Sequence, residues 1–120
     1  MASFALYIQS EPFANSVLAS CIRFAKAATA SGHQIDHIFL YHSAVQAVIS
    51  DPFLPADEPD QAKLLADFCQ QQQIPLLYCV TAAEKRGIAS AERPARAGFT
   101  AAGLAEFAIR LASVDRLIQF

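Results

Sequence analysis

Tryptophan is absent from this chain, glycine occurs only four times, and charged residues make up just 17% of it. The charge that is present is nearly balanced. Nine Lys and Arg against eleven Asp and Glu leave a net charge of −2 and a pI near 5.8. That gives no basic footprint for a polyanion, so direct nucleic-acid binding is not expected. The glycines form no glycine-rich phosphate loop, so no nucleotide cofactor is expected. Long hydrophobic runs are missing too. The longest weakly polar stretch, Phe99 to Ala112, is interrupted by Glu106 and Arg110 and is too short to cross a bilayer. Met1-Ala2-Ser3 leads into an apolar run without a basic segment, so no export signal is expected and cytoplasm is the expected compartment. Three cysteines are an odd number, which argues against a closed disulfide framework, and they are too dispersed for a Cys-x-x-Cys metal or redox motif.

What is there is apolar. Of the 120 residues 54% are hydrophobic, and Phe appears nine times. The length fits one domain spanning 1–120, with a single core. A small domain has much surface for its volume, so this apolar content has two readings: an alanine-rich core, or a subunit that buries part of its surface against partners.

Strand-like and helix-like segments alternate. Phe4–Ile8 is a short apolar run entering a polar loop, Gln9 to Asn15. Asn15 or Ser16 is placed to cap a helix whose apolar positions Val17, Leu18, Cys21, Ile22, Phe24, Ala25 and Ala28 recur at helical spacing, with Gly32 as its stop. Ile35 to Tyr41 reads as a strand covered on both faces. Residues 43–49 suggest a short helix, Phe53 to Pro59 a loop, and Asp60 to Gln72 a helix carried by Leu64, Leu65, Phe68 and Cys69. Leu76 to Val80 is the third strand, and Thr81 to Arg86 a helical turn closed by Gly87. After a polar stretch with Pro94, Thr100 to Ala112 reads as a helix and Ser113 to Ile118 as the last strand. The expected fold is α/β: one three-layer domain, a mostly parallel sheet of four to five strands with helices on both faces.

The cysteines have unequal prospects. Cys21 and Cys69 fall on apolar helix faces, where a free thiol packs as a small hydrophobe. Cys79 ends a buried-type strand and precedes a helical turn. Ligand and catalytic sites in open α/β sheets gather at the carboxyl ends of strands. The unpaired N–H groups of a helix start also favour a thiolate over a thiol. Lys85 and Arg86 lie close in sequence, though spacing alone does not say which way they face. His33 reads as an exposed turn residue. His37 lies within the second strand; His42 at its end could approach the thiol, but neutral packing or a backbone hydrogen bond is the expected role. Asp57, Glu58 and Asp60 read as a solvated acidic helix start. Local chemistry thus makes Cys79 the best placed of three thiols and leaves a structural role open.

The stretch Cys79-Val80-Thr81-Ala82-Ala83-Glu84-Lys85-Arg86-Gly87 resembles the active-site segment of the DsrE/TusD sulfurtransferase family, in which a cysteine precedes an Ala-rich turn and a basic pair before glycine. Further blocks fit in the same order: Gly32-His33 leading to Ile38-Phe39-Leu40-Tyr41, Gly98-Phe99-Thr100 with Gly103-Leu104, and the ending Asp115-Arg116-Leu117-Ile118-Gln119-Phe120. The resemblance implies a small α/β subunit that joins two sister subunits of the same fold in a heterohexamer. It implies that Cys79 takes sulfane sulfur as a persulfide from an upstream carrier protein and passes it to a downstream one. In one branch the sulfur ends in wobble 2-thiouridine of tRNA; in the other the complex serves sulfur oxidation. The closest likeness is to the first branch. No cofactor and no metal are implied. Two stretches depart from the family pattern, Gln9–Asn15 without its usual glycines and a shortened segment between Gly87 and Gly98, and both are expected to border the thiol.

That chemistry is thiol exchange with one extra sulfur. It needs a thiolate, access for a partner's sulfur, and no second thiol near enough to expel the sulfur as sulfide. A non-catalytic scaffold subunit and a homo-oligomeric small-ligand binder are the competing readings.

Overall fold

The fold is taken from a computed structural model, which describes residues 1–13 and 15–120. Ala14, within the loop expected after the first strand, lies outside the described residues. Five parallel strands form one sheet: β1 (Ser3–Ile8), β2 (Gln34–Leu40), β3 (Leu76–Cys79), β4 (Thr100–Ala102) and β5 (Arg116–Gln119), ordered β4-β3-β2-β1-β5. The helices are α1 (Val17–Ala30), α2 (Gln61–Gln72), α3 (Val80–Lys85) and α4 (Leu104–Leu111), and a 3-10 segment spans His42–Val48.

Alternation along the strands sorts the layers. Phe4 of β1 meets Phe24 of α1 edge-on at 5.4 Å between ring centres. Tyr7, on the other face, lies parallel to Phe107 of α4 at 5.1 Å, and Phe39 of β2 stacks on the same Phe107 ring at 4.5 Å. Helices therefore cover both faces of the sheet. Burying Phe107 against those rings contributes about 2 kcal/mol and seats a helix only two turns long.

Helix α1 buries Leu18, Cys21, Ile22, Ala25 and Ala28, the apolar stripe that its sequence spacing predicts. Its start is tied by the Asn15 side chain, whose Oδ1 accepts from the Val17 N–H at 2.8 Å; Ser16 makes no side-chain cap. The stop is Gly32 at φ +84°, where a left-handed turn lets the His33 N–H reach the Ala28 carbonyl. Asp60 caps α2 by accepting from the Lys63 N–H, and its carboxylate also receives two bonds from the Arg96 guanidinium. The acidic start of α2 is thus tied down at Asp60 rather than simply solvated.

The segment expected to be one helix from Thr100 to Ala112 is two elements. Thr100–Ala102 pairs with Leu77–Cys79 as strand β4, and only after Gly103, in extended conformation, does α4 begin. Thr-Ala-Ala has helix-compatible propensity, but without β4 the backbone of β3 would be an unpaired edge. Tertiary pairing overrides local preference there. Among the described residues no helix is long and apolar enough to cross a membrane.

Candidate active site at the end of β3

Strand register assembles the site. Tyr78 of β3 pairs with Leu40 of β2, so the residues that follow each, Cys79 and Tyr41, come out level at the same end of the sheet. On the other side Cys79 pairs with Ala102 of β4, which brings Leu104, the first residue of α4, beside it. Cys79 itself is the residue from which α3 starts, in extended conformation at φ −71° and ψ 113°. A cavity of about 430 Å³ opens over it, lined besides Cys79 by Tyr41, His42, Thr81, Lys85, Arg86 and Leu104.

Sulfur exchange at Cys79 needs access for a partner's sulfur, which does not require open exposure. Cys79 is only 2% exposed and forms part of the cavity's inner wall. The cause is its place in the sheet: Cys79 is the last residue of β3, paired with Ala102 of β4, and Tyr41 and Leu104 wall the same cavity. Access to the sulfur runs through the cavity. Lys85, Arg86 and His42, whose orientation sequence spacing left undecided, all line it. Arg86 is anchored by an Nη1–H donated to the Ala82 carbonyl at 3.3 Å. His42 takes a left-handed backbone at φ +50°, and its ring lies 4.1 Å from that of Tyr41. Histidine tolerates this region better than most side chains do.

The remaining candidates lie elsewhere. Cys21 and Cys69 are buried in the layer between α1, α2 and the sheet. Burial, with Cys69 nearby, pushes the Cys21 thiol up to about 12, and burial likewise pushes Cys69 up to about 12. Neither lines the cavity over Cys79. His33 is not a free turn residue: its Nδ1 accepts from the Ala2 N–H at 2.9 Å, and its ring meets Phe4 edge-on. His37 is fully buried beside Phe107, with Nδ1 against Asp36 at 2.7 Å. Among the described residues no three His, Cys, Asp or Glu side chains converge as a metal set.

Among the described residues, neither loop expected to border the thiol lines its cavity. Pro12, Phe13 and Asn15 line a different cavity, with Glu58, Pro59 and Gln61 at the start of α2. The segment before Gly98 is held away by Arg96, whose N–H reaches the Val48 carbonyl and whose side chain binds Asp60. Tyr41 and Leu104 were not singled out from the sequence. The register of neighbouring strands supplies them, and a sequence read without that register carries no signal for either.

Comparison with known proteins bears on the family and the fold. The model of the DsrE/DsrF-like family matches residues 2–120. A DsrE protein of Allochromatium vinosum is 30% identical over 98% of this chain and 97% of its own length. A protein named sulfurtransferase TusD from Pectobacterium carotovorum is 29% identical over the full length of both chains, and a TusD homolog of Aliivibrio fischeri is 31% identical over 98% and 97%. The ychN protein of E. coli superposes over all of both chains with a TM-score of 0.81 at 23% identity, which shows a shared fold.

Proposed function

We infer that this chain, which belongs to the DsrE/DsrF-like family, is a sulfurtransferase subunit of a sulfur relay in which Cys79 accepts sulfane sulfur as a persulfide and hands it to a downstream carrier protein. One observation carries the reading. Of three cysteines, only Cys79 stands at the carboxyl end of a central strand, at the start of a helix, in the wall of a cavity that also holds three basic side chains.

The reaction follows from those groups. The Cys79 thiolate attacks the outer sulfur of an incoming persulfide, one S–S bond forms as another breaks, and the donor leaves as a thiolate. No electrons are gained or lost overall. The lining N–H and N⁺–H groups of His42, Lys85 and Arg86 stabilise anionic sulfur on either side of the exchange. Its place in the cavity wall, where Cys79 is only 2% exposed, shields the persulfide from other thiols until a partner's sulfur enters.

The same reading makes the chain one subunit of a heteromeric assembly of like folds, a heterohexamer, working in the cytoplasm. Exposed apolar side chains support it: Leu104 and Ile109 on α4 and Leu117 on the edge strand β5 remain at the surface. The final product we favour is wobble 2-thiouridine of tRNA, reached through carrier proteins rather than by this chain binding RNA. The DsrE relative, as similar as the TusD relatives, supports sulfur oxidation as the second reading.

Intact mass spectrometry tests the chemistry. Incubation with a cysteine desulfurase and its carrier is expected to add one sulfur, about 32 Da, at Cys79. Loss of that adduct in Cys79→Ser supports the assignment. An adduct on Cys21 or Cys69, or transfer that survives Cys79→Ser, sinks it and favours a scaffold subunit.

A further inference from the structure

The cavity over Cys79 is cationic by construction. His42, Lys85 and Arg86 line it, and among the described residues no Asp or Glu does. The four ion pairs of the described residues use other groups, so neither Lys85 nor Arg86 is neutralised by a carboxylate. Glu84, their sequence neighbour, lies outside the lining and instead helps to raise the Tyr78 phenol, after burial. Arg86 spends one N–H on the Ala82 carbonyl, which fixes its guanidinium and leaves further donors. Thr81 adds a hydroxyl to the same wall. Charge in a confined, partly desolvated pocket acts more strongly than on an open surface. A sulfur that must enter this cavity to reach a thiol only 2% exposed passes all of these groups.

We propose that this pocket selects sulfur donors that carry a negative charge a few bonds from the transferable sulfur, a carboxylate or an equivalent anion. The inference rests on Cys79 as the acceptor and adds the substrate class. Two sources share that chemistry: a free anionic thiol compound, or a carrier protein whose cysteine stands beside an acidic residue. In either case the balance is the same. The donor R–S–SH gives its outer sulfur to Cys79, R–S⁻ leaves bearing its anion, and the proton that Cys79 gives up is returned to the donor thiol.

Charged thiol probes separate the possibilities without requiring any relay. Methanethiosulfonates bearing a sulfonate, a hydroxyl or a trimethylammonium group react with Cys79 by the same exchange, each leaving its own mixed disulfide and releasing methanesulfinate. At low salt the sulfonate reagent is expected to outpace the trimethylammonium reagent on the order of tenfold or more, with the gap narrowing at high salt. Each ratio is divided by the same ratio for free cysteine, which removes the reagents' own difference, and taking it within one protein removes that of the thiol. Lys85→Gln, and independently Arg86→Gln, should each lower it. Two cysteine peptides activated as mixed disulfides, one flanked by Glu and one by Lys, identify the source. Faster reaction of the Glu peptide points to a carrier arm, and a preference confined to the small reagents points to a free thiol compound. A ratio near one, or a preference for the cation, overturns the proposal while leaving Cys79 as acceptor. Labelling by none of the three reagents overturns the acceptor assignment itself, and this inference with it.

Discussion

Gly98 approaches Ala66 so closely that a Cβ on residue 98 would stand 2.9 Å from the Ala66 Cβ, at a φ of +96°. This contact seats the segment after α3 against α2 and delivers Thr100 to the open edge of β3. The site depends on it indirectly, since β4 places Leu104 over Cys79.

Gly98→Ala is therefore expected to destabilise the protein by about 2 kcal/mol or more, from overpacking and left-handed backbone strain together. Urea denaturation measures it. Adding Ala66→Gly should recover the part due to crowding and leave the part due to backbone strain, so the double variant falls between Gly98→Ala and Ala66→Gly alone.

The Asp60–Arg96 pair sets an acid limb. The Arg96 guanidinium, hydrogen-bonded to Asp60, holds its carboxyl below the usual carboxylate range against the opposing effect of burial, and the Lys63 N–H assists. A depressed folded pKa gives stability that is present above the unfolded value, about 3.9, and is lost as pH falls through the folded one. Asp60→Ala should cost about 1 to 2 kcal/mol at pH 7 through the lost cap, and should flatten the decline in stability on acidification below about pH 4. Denaturant midpoints at pH 7 and pH 3 check both statements.

Thiol labelling should count to one and then to three. At pH 8 the native protein is expected to take up iodoacetamide at Cys79 through its cavity, while Cys21 and Cys69 remain unmodified because burial pushes both up to about 12. In denaturant all three should react, as read by peptide mapping. The same raised values imply stability that is full below the unfolded thiol pKa, about 8.5, and is lost as pH climbs toward about 12. Replacing both Cys21 and Cys69 with Ala should shrink that alkaline loss.

Association should depend on the outer side of α4. Ile109 is 74% exposed, so Ile109→Glu costs the isolated subunit little. If this surface is covered in the assembly, native mass spectrometry with sister subunits should show the variant failing to enter the complex. Full assembly of Ile109→Glu would exclude the outer face of α4 as an interface.

Much of the fold was legible in the sequence. The stripe of Leu18, Cys21, Ile22, Ala25 and Ala28 marked α1, the run Ile38-Phe39-Leu40 marked a doubly covered strand, and Gly32 marked a stop, because each is a local pattern with one cheap solution. The β4 strand was not legible. Thr100-Ala101-Ala102 has no alternation and only one β-branched residue, and it extends because β3 leaves donors and acceptors to satisfy. The 3-10 winding of His42–Val48, read as a short helix, escaped the sequence for a similar reason: it follows from how the chain leaves β2, not from its composition.

The place of Cys79 was readable from sequence, since a residue between a buried strand and a helical turn lies at the carboxyl edge of a parallel sheet. What surrounds it was not. Sequence placed Lys85 and Arg86 nearby without a direction, expected His42 to pack, gave Tyr41 and Leu104 no role, and expected two loops that, among the described residues, do not line its cavity. Strand register decided all of these, because pairing Leu40 with Tyr78 and Ala102 with Cys79 levels the ends of three strands that lie far apart along the chain. Sequence put Cys79 at the end of its strand; tertiary structure set it in the wall of a basic cavity, because a residue paired with β4 and flanked by Tyr41 and Leu104 reaches solvent only through what those neighbours leave open.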